Sequence, residues 1–428
     1  MTTMSEAGPP SIPHAATPPR LKVRPEDFIV EEIPAYLPSG EGEHAYLFIE
    51  KCDATTSGVA RALARSLGVP DRAVGFAGLK DRHAITRQWF SVRDPEGRID
   101  AAVVADLGTT FYRVLEATRH GNKLRRGHLS GNRFEITARG AGVAALPTAL
   151  ARLRDMEKGG AANAFGPQRY GSRGNNHRIG RAFALGRDAD ALDLMLGLTE
   201  PGDADRFDAA GRRLYEDGAP EEALRVFPSS AVPERRALSA LARGGSARDA
   251  LRAISPLQRS YWLSALQSAI FDDVLAERSE RGGLSELTAG DLAFKHDNGA
   301  VFGVDETADP ESLTSRLAAL QISPSGPMWG PTMMRAAGAV DEAEVTALHT
   351  SGVTLEELER AARAWRIKSL GARRPLRVPV RDTTIEAGAD EHGEFLRLRL
   401  TLPAGSFATV IAAEILDIPD EAGRRRSW

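Results

Sequence analysis

The segment from Phe76 to Val92 holds the residues of this chain that are best suited to chemistry. An apolar lead-in is broken at Gly78, a cluster of charged residues follows, and a second apolar run closes the segment. Asp81 lies in that cluster among cationic neighbours, which favour the ionised form of a carboxyl group at neutral pH. An ionised, positioned aspartate can act as a nucleophile or as a general base. The alternative is structural, because an aspartate after a glycine break also serves as a helix N-cap or in a surface ion pair.

The composition is that of an ordinary globular protein. The chain has 428 residues, of which 42% are hydrophobic, enough for two or three domains. Its single cysteine, Cys52, excludes an intramolecular disulfide and any CxxC metal site, and it is compatible with a reducing cytosol. Residues 1–20 are rich in Pro, Ala, Ser and Thr without the features of a secretory signal, which predicts a disordered tail. Since no run approaches 18 consecutive apolar residues, we expect no membrane span and a cytoplasmic location.

The charge is distributed unevenly, although the net charge is only −3. Residues 111–178 contain thirteen Lys or Arg against four Asp or Glu, and residues 186–230 contain five against eleven. Such asymmetry indicates a basic surface on a nearly neutral protein, as expected of a protein that binds phosphate backbones. Two unrelated solvated faces would give the same counts.

Two basic, glycine-rich segments are candidates for contact with nucleic acid. The first, residues 119–132, lies between two predicted strands and contains Lys123, Arg125 and Arg126. The second, residues 163–177, combines arginines with aromatic residues, a pairing used to grip phosphates and stack on bases. The two histidines of the first segment could equally be plain surface residues.

Hydrophobic periodicity predicts strands and helices throughout the chain. We expect strands near residues 21–33, 45–50, 111–118, 133–138, 290–304, 373–380 and 395–402. Helices are predicted at 56–67 with Thr56 or Ser57 as the cap, at 145–156, over most of 178–280, at 341–348 and 354–364, and from about 408 to 416. Residues 324–331 read as a rigid loop. In the longest helix, the spacing of Trp262, Leu266, Ile270 and Val274 indicates a buried face.

Several catalytic chemistries lack their motifs in this sequence. It contains no P-loop, no strand-linked GxGxxG, no HExxH, no GxSxG elbow and no zinc-deaminase pattern. We therefore expect no metal site and no nucleotide or redox cofactor. What remains is one ionised aspartate, basic loops and scattered aromatic residues.

These residues belong to a set of motifs that recur in a known family. The motifs are Pro25-Glu26-Asp27-Phe28; Phe76-Ala77-Gly78-x-Lys80-Asp81-x-His83-Ala84 with Thr86, Gln88 and Trp89; Lys123-Leu124-Arg125 leading to Gly131-Asn132-x-Phe134; Asn163-x-Phe165-Gly166-x-Gln168-Arg169-Tyr170-Gly171; Arg259-Ser260-Tyr261-Trp262; and Leu402-Pro403-Ala404-Gly405-Ser406-Phe407-Ala408-Thr409. Their types and order closely resemble the TruD family of tRNA pseudouridine synthases, over nearly all of the ordered chain.

The resemblance implies a fold and a reaction. The fold would be α+β, with a pseudouridine synthase catalytic domain built on a mixed, mainly antiparallel sheet with flanking helices. That domain would comprise residues 21–159 and 373–420, interrupted by a largely helical insertion at 160–372. The reaction would be isomerisation of a uridine in tRNA, usually at position 13 in the D-arm, to pseudouridine. The acidic helical segment 186–252 has no motif that aligns with the family.

The resemblance also implies roles for individual residues. Asp81 would be the catalytic aspartate, and Phe28, Asn132 and Phe407 would bind the target nucleotide. We add Phe134 as a further candidate for contact with the base, although its strand-like alternation would also suit a core position. Lys22 is our candidate for the positive partner of Asp81. The predicted RNA contacts are Lys80, Arg82, His83, Lys123, Arg125, Arg126, Gln168 and Arg169.

The reaction suits a site with a single catalytic aspartate and no cofactor. A C–N glycosidic bond breaks and a C–C bond forms, with no net redox change, so that one nucleophile in a closed pocket suffices. Asp81 could attack the ribose or the base, and Arg82 and Lys80 are rivals to Lys22 as its partner. The expected partner is tRNA, bound by a monomer. The alternative function is a non-catalytic tRNA-binding protein or chaperone with the same fold.

Overall fold

The computed structural model describes residues 19–305 and 309–418. Most of the predicted N-terminal tail therefore lies outside the described residues, but its last residue, Arg20, forms a bridge with Arg139 through two backbone hydrogen bonds of 2.9 Å. The described chain forms two compact units. The first comprises residues 19–153, 382–404 and 412–418, and the second comprises 154–305, 309–381 and 405–411. The division into a catalytic domain and an insertion with the predicted boundaries stays a prediction.

The elements follow one another in a mixed order. The strands are β1 (Phe28–Pro34), β2 (His44–Cys52), β3 (Val74–Phe76), β4 (Ile85–Arg93), β5 (Gly108–Thr109), β6 (Tyr112–His120), β7 (Leu129–Arg139), β8 (Ala161–Ala162), β9 (Leu292–Lys295), β10 (Val301–Gly303), β11 (Ile322–Met328), β12 (Ala372–Pro375), β13 (Arg377–Val378), β14 (Arg381–Asp390) and β15 (Gly393–Pro403).

The helices are α1 (Thr56–Ser66), α2 (Ala101–Asp106), α3 (Leu146–Gly159), α4 (Asn176–Ala184), α5 (Asp188–Leu196), α6 (Ala209–Glu216), α7 (Pro220–Val226), α8 (Val232–Leu241), α9 (Ala247–Ala253), α10 (Pro256–Glu280), α11 (Pro310–Ala318), α12 (Gly338–Thr350), α13 (Leu355–Ala364) and α14 (Ala408–Ile415). Short 3-10 turns lie among them, including Pro25–Asp27 and Pro167–Tyr170. This content confirms the predicted α+β class.

The first unit is built on one large sheet with the order β14-β15-β7-β1-β4-β2-β6-β5, and β3 pairs with β4 beside it. The pairs β15–β7, β7–β1, β4–β2 and β2–β6 are antiparallel, whereas β1 and β4 run parallel. The sheet is therefore mixed and mainly antiparallel, as predicted. Since β1 and β4 are parallel neighbours, the chain must cross over between them, and that crossover contains β2, α1, β3 and the Asp81 loop.

The two faces of this sheet differ in chemistry. On one face Leu47, Ile49 and Phe90 form a buried core with Val59 and Leu63 of α1. On the other face exposed side chains form ion pairs across strands, for example Arg133 with Glu31 at 2.9 Å and Arg399 with Glu135 at 2.9 Å. Side chains alternate between the faces along a strand, so strand register decides which charged residues turn inward.

The register places several site candidates on the inner, core-forming face. Val30 lies opposite Thr86 of β4 and Phe134 of β7, and Glu32 lies opposite Asn132. Because alternate residues share a face, Phe28, Val30 and Glu32 point to the same side as Asn132 and Phe134. The register thereby brings Phe28, Asn132 and Phe134, which the sequence singled out, onto one face with Glu32.

The second unit has a largely helical core. Helices α4 to α10 pack with α12 and α13 around buried apolar side chains. In α10, Trp262, Leu266 and Ile270 are fully buried and Val274 is partly buried, which confirms the predicted core face. The acidic segment of the sequence forms part of this unit.

One predicted loop of the second unit is a strand. Residues 324–331 were expected to form a rigid loop on the strength of three prolines, yet Pro324 and Pro327 lie in β11, which is buried between β9 and β12 in a sheet of order β10-β9-β11-β12. Proline lacks a backbone donor but keeps its acceptor. The carbonyl of Pro324 accepts a hydrogen bond from the amide of Leu376 at 2.8 Å, so the strand retains its pairing.

Two smaller predictions also need correction. The cap of α1 is Thr55, whose side chain accepts a hydrogen bond from the Gly58 amide at 3.0 Å, rather than Thr56 or Ser57. Strand β14 was not predicted, because its alternation is carried by short and charged residues that resemble a loop. Neither correction changes the residues that face inward from β1 and β7.

The contact between α4 and α10 supplies a test of the second unit. A methyl group at Gly180 would overlap the carbonyl oxygen of Trp262 in α10, whereas a methyl group at Gly159 meets nothing within 4 Å. Overpacking against a rigid helix backbone costs about 1–3 kcal/mol. We therefore expect Gly180→Ala to lower the free energy of unfolding by that amount and Gly159→Ala to leave it unchanged or slightly raised, as measured by chemical denaturation. Equal stabilities of the two variants would contradict this close approach.

Candidate active site

The loop between β3 and β4 is held by hydrogen bonds before and after Asp81. The hydroxyl of Thr56, at the start of α1, accepts from the Lys80 amide at 3.0 Å and donates to Gln88 of β4 at 2.9 Å. The amide of Gln88 in turn donates to the carbonyl of Gly78 at 3.1 Å. Since a strand and not a helix follows Asp81, the helix-cap alternative no longer applies.

Asp81 forms an ion pair with Lys22. Its Oδ2 lies 2.7 Å from the Lys22 ammonium, and the Asp81 side chain remains 36% exposed. Lys22 itself has a positive φ of 54°, a strained backbone conformation for a residue other than glycine. Lys80 and Arg82, the rival partners, make their ion pairs with other carboxylates. The geometry thus joins Asp81 to the cation that we favoured from the sequence.

A second lysine holds the backbone of Asp81. Lys51, at the end of β2, is 1% exposed and donates from its ammonium to the carbonyl of Asp81 at 2.7 Å. Burial lowers the pKa of Lys51 to about 8, against the opposing influence of the Asp81 charge. The Lys22 ammonium therefore contacts the side chain of Asp81, and the Lys51 ammonium contacts its main chain.

A third lysine connects the loop to the strands. The ammonium of Lys80 lies 2.7 Å from a carboxylate oxygen of Glu32 and donates to Oδ1 of Asn132 at 2.7 Å. The side chains of Lys80 and Glu32 are 4% and 1% exposed. Burial lowers the pKa of Lys80 and raises that of Glu32, while the charge of each partner opposes the shift of the other. The buried Lys80 ammonium thus contacts protein groups, and its predicted contact with RNA stays a prediction.

The aromatic candidates of the first unit are buried next to Lys22. The rings of Phe28 and Phe134 meet edge to face with centroids 6.1 Å apart, and the Lys22 ammonium lies 4.1 Å from the centre of the Phe28 ring. Both phenylalanines belong to the core by exposure. Phe134 therefore lies in the core, as the alternative interpretation of its strand position stated. Contact of either ring with a base stays a prediction.

Arg82 and His83 of the loop point to solvent. His83 lies 2.8 Å from a carboxylate oxygen of Asp53, and Arg82 lies 3.8 Å from the same oxygen. All three side chains are more than half exposed. Asp53 also adopts a positive φ, of 46°. Arg82 and His83 are thus accessible to a ligand at this end of the sheet.

The basic segment 119–132 is partly anchored to the first unit. Lys123 donates to the carbonyl of Arg72, and Arg126 lies over the ring of Phe76 with a separation of 4.7 Å. Arg125 is exposed. The carbonyl of Ala77 accepts from the Gly127 amide at 3.0 Å, so this segment also borders the Asp81 loop.

The other predicted site residues lie in the second unit. Arg169 donates to the Ser268 hydroxyl at 2.9 Å and lies over the rings of Phe165 and Tyr261. Gln168 is exposed on the same 3-10 turn. Phe407 is half-buried and packs edge to face on Phe165, with centroids 5.4 Å apart.

Sequence reasoning missed Arg374 in this cluster. Its guanidinium lies 4.1 Å from the centre of the Phe165 ring and donates to Oδ1 of Asn163 at 2.6 Å and to the carbonyl of Gly405 at 3.1 Å. Burial lowers the pKa of Arg374 to about 10, against the opposing influence of the Asp272 charge. No motif marked this arginine, because its partners come from distant segments.

Lys51 and Glu32 were also missed, although the sequence carried a signal for both. Lys51 lies two and four positions after the buried residues Ile49 and Leu47, and Glu32 lies four positions after Phe28. Alternate residues of a strand share a face, so both charged residues face inward. A charged residue at an inward-facing position of a strand must find a partner, because an unpaired buried charge is costly. That rule would have selected both residues as candidates for the site.

Two absences concern only the residues that the structure describes. Within 19–305 and 309–418, no group of three or more His, Cys, Asp or Glu side chains is arranged to hold a metal ion. In the same ranges no helix has the length and apolar character needed to cross a membrane. The expectation that no cofactor is needed stays a prediction.

Comparison with known proteins gives a consistent result. The family model described as tRNA pseudouridine synthase D (TruD) matches residues 14–415. A tRNA pseudouridine synthase D of Geobacter sp. (strain M21) is 40% identical over 92% of this chain and 96% of its own, and that of Geobacter metallireducens is 41% identical over 92% and 94%. A TruD crystal structure from Methanosarcina mazei superposes with a TM-score of 0.73 at 26% identity, over 94% of this chain and 95% of its own.

These matches show both the class of the enzyme and its family. The chain is a pseudouridine synthase, an isomerase with the α+β fold of its solved relative. Within that class it belongs to the TruD family of tRNA pseudouridine synthases. The resemblance inferred from the motifs is thereby confirmed.

The buried Lys51 predicts a pH dependence of stability. Its pKa falls from 10.5 to about 8 on folding, so between these values the unfolded chain binds more protons and stability rises with pH. Relative to Lys51→Met, the wild type should gain about 3 kcal/mol in free energy of unfolding from pH 8 to pH 10.5. Below pH 7 the difference between the two proteins should be constant. Urea denaturation at a series of pH values measures it, and a difference that does not change above pH 8 would contradict the assigned cause.

Proposed function

We propose that this protein converts a uridine of tRNA, at position 13 in the D-arm, to pseudouridine with Asp81 as the nucleophile. The observation that carries the proposal is the ion pair between Asp81 and Lys22, at 2.7 Å, in a chain whose family acts as tRNA pseudouridine synthases. The D-arm position rests on the resemblance to the family alone. The remaining support comes from the surroundings of Asp81.

The position of Asp81 suits attack on a bound nucleotide. Its carboxylate is partly exposed, and the loop is fixed by Thr56, Gln88 and Lys51. A nucleophile held in one geometry lowers the barrier by avoiding the entropy cost of positioning it during the reaction. The Lys22 ammonium lies 2.7 Å from the Asp81 carboxylate and balances the charge of this reactive group.

The proposed reaction balances without any external reagent. The bond between ribose C1′ and uracil N1 breaks, the base turns, and a bond between C1′ and C5 forms. The proton on C5 leaves and N1 gains one, so the product is an isomer of the substrate. Asp81 forms a covalent bond to the ribose or to the base during the turn and is released at the end, which keeps the two fragments together.

The target uridine must leave its base stack before Asp81 can reach it. Base flipping costs a few kcal/mol, and stacking on an aromatic side chain contributes about 1–3 kcal/mol per base. Phe407 is the half-exposed aromatic candidate, while Phe28 and Phe134 would contact the base by their edges or after displacement of Lys22. Exposed cations, including Arg82 and Arg125, supply contacts to phosphates.

The role of Asp81 is tested by product formation. With unmodified tRNA, the wild type should form one pseudouridine in the D-arm, and Asp81→Asn should form none because an amide is not a nucleophile of comparable strength. The variant should bind tRNA as well as the wild type or better, since it removes a negative charge near an anionic ligand. Pseudouridine mapping and a filter-binding assay measure the two properties.

The possible outcomes separate the alternatives. Equal product from both proteins would remove Asp81 from the mechanism. Product from the wild type at another tRNA position would correct the D-arm assignment while leaving the activity intact. Binding without product from the wild type with any tRNA would favour a non-catalytic tRNA-binding protein or chaperone.

Lys22 and Arg82 should affect different kinetic constants. Lys22→Met removes the ion pair of Asp81, and we expect kcat to fall by at least about tenfold because an ion pair of this length stabilises the nucleophile's charge. Arg82→Met removes an exposed cation and should raise KM about a few-fold with little change in kcat. Single-turnover and steady-state kinetics on one tRNA transcript distinguish the two effects. A larger loss of kcat in the Arg82 variant would show that the wrong cation has been paired with Asp81.

A further inference from the structure

The contacts of Lys80 determine which way the Asn132 amide points. The Lys80 ammonium lies between Glu32 and Asn132, at 2.7 Å from an oxygen of each. An ammonium has three donors and no acceptor, so the atom of the asparagine amide that faces it must be the oxygen. This assignment follows from the chemistry of lysine and does not depend on how the two ends of the amide were placed.

The other end of the amide is left with unused donors. Among the described residues, none accepts a hydrogen bond from Nδ2 of Asn132, although Asn132 is half-buried. Glu32 lies directly opposite Asn132 in the pairing of β1 with β7. Lys80 belongs to the same loop as Asp81 and directly precedes it. The free NH₂ group therefore lies on the inner sheet face that also carries Phe28 and Phe134.

The orientation is held rigidly because both partners of Asn132 are fixed. Glu32 and Lys80 are almost completely buried, and their ion pair is short. Rotation of the amide by half a turn would place its NH₂ group against the ammonium, which offers no acceptor. Such a rotation would leave buried donors unpaired at a cost comparable to a lost charged hydrogen bond.

We propose that Lys80 and Glu32 are positioning residues that lock Asn132 as a hydrogen-bond donor toward O4 of the target uracil, so that the site selects uracil over cytosine by that acceptor. This inference rests on the proposed function. Uracil presents acceptors at O2 and O4, whereas cytosine presents an amino donor in place of O4. A locked donor accepts the first base and leaves an unfavourable donor-to-donor contact with the amino group of the second.

A simpler role for Lys80 would be to neutralise Glu32 alone. Neutralisation requires one contact, but the ammonium makes a second one, of equal length, to the half-buried asparagine. The ion pair between Lys80 and Glu32 can be removed on both sides without leaving a buried charge, so the two roles can be separated by experiment.

The matched pair of variants is Glu32→Gln and Glu32→Gln/Lys80→Met. The first keeps the Lys80 donor to Asn132 and leaves the ammonium without the Glu32 charge, although the glutamine oxygen can still accept from it; the second removes both charges. Each is compared with the wild type on four tRNA transcripts, which carry uridine, 2-thiouridine, 4-thiouridine or 2′-deoxyuridine at the modified position. Sulfur is a weaker acceptor than oxygen, so each thio transcript probes one carbonyl. The readout is the ratio of single-turnover rates on each transcript to that on uridine, which does not depend on the fraction of enzyme that is folded.

We expect the wild type and Glu32→Gln to lose roughly tenfold in rate on the 4-thiouridine transcript, the equivalent of about one hydrogen bond. The Lys80 double variant should lose much less on that transcript, because its amide is free to rotate. All three proteins should respond alike to 2′-deoxyuridine.

Several results would overturn the inference. Equal sensitivity to 4-thiouridine in all three proteins, or a loss confined to 2-thiouridine, would show that Lys80 does not aim the Asn132 donor at O4. A difference confined to the 2′-deoxyuridine transcript would assign Asn132 to the ribose hydroxyl. Both results presuppose that the wild type forms pseudouridine. Absence of product from the wild type on uridine would count against the proposed function instead. In that case, tRNA binding by Asp81→Asn variants of the same three proteins would be compared on transcripts with uridine or cytidine at the target position. Equal preferences for uridine over cytidine in that comparison would also overturn the inference.

Discussion

The structure of the first unit depends on how three buried or half-buried lysines meet one short loop. Lys22 pairs with the Asp81 carboxylate, Lys51 holds the Asp81 carbonyl, and Lys80 connects the loop to β1 and β7. Each cation would be costly to bury alone, and each is compensated by an oxygen that belongs to the loop or to a strand facing it. The position of the loop and the placement of the charges therefore stabilise each other. A carboxylate can remain reactive there because its own side chain is the part left exposed.

The parallel pairing of β1 with β4 explains why this loop lies where it does. The crossover between the two strands contains β2, α1 and β3, and it returns to the sheet through the loop that begins β4. The register of β1 against β7 then brings Glu32 opposite Asn132. Both facts are properties of the sheet, so the arrangement of Lys80, Glu32 and Asn132 is set by backbone pairing before any side chain is considered.

Much of this could be predicted from the sequence, for physical reasons that differ from residue to residue. The alternation of β2 and β7 and the four-residue spacing in α10 are local signals, and the structure confirms those elements. Asp81 stood out because its charged neighbours are adjacent in the chain, and the motif resemblance gave the class and family. Lys51 and Arg374 did not stand out, because their partners are separated from them by 30 and 211 positions. The prediction of a loop over β11 was wrong because it considered only the amide hydrogen that proline lacks. The proline carbonyl can still accept a hydrogen bond and pair the strand.

The two kinds of cation at this site have different consequences for a nucleic-acid ligand. Exposed cations such as Arg82 add to affinity in a manner that salt weakens, and they carry no information about the base. Buried cations such as Lys80 contribute nothing to long-range attraction, because Glu32 cancels their charge, but they fix the direction of neighbouring polar groups. Base recognition requires such fixed directions, since a freely rotating amide would satisfy uracil and cytosine equally. A basic residue in the motif around Asp81 thus need not touch RNA to determine which base the site accepts.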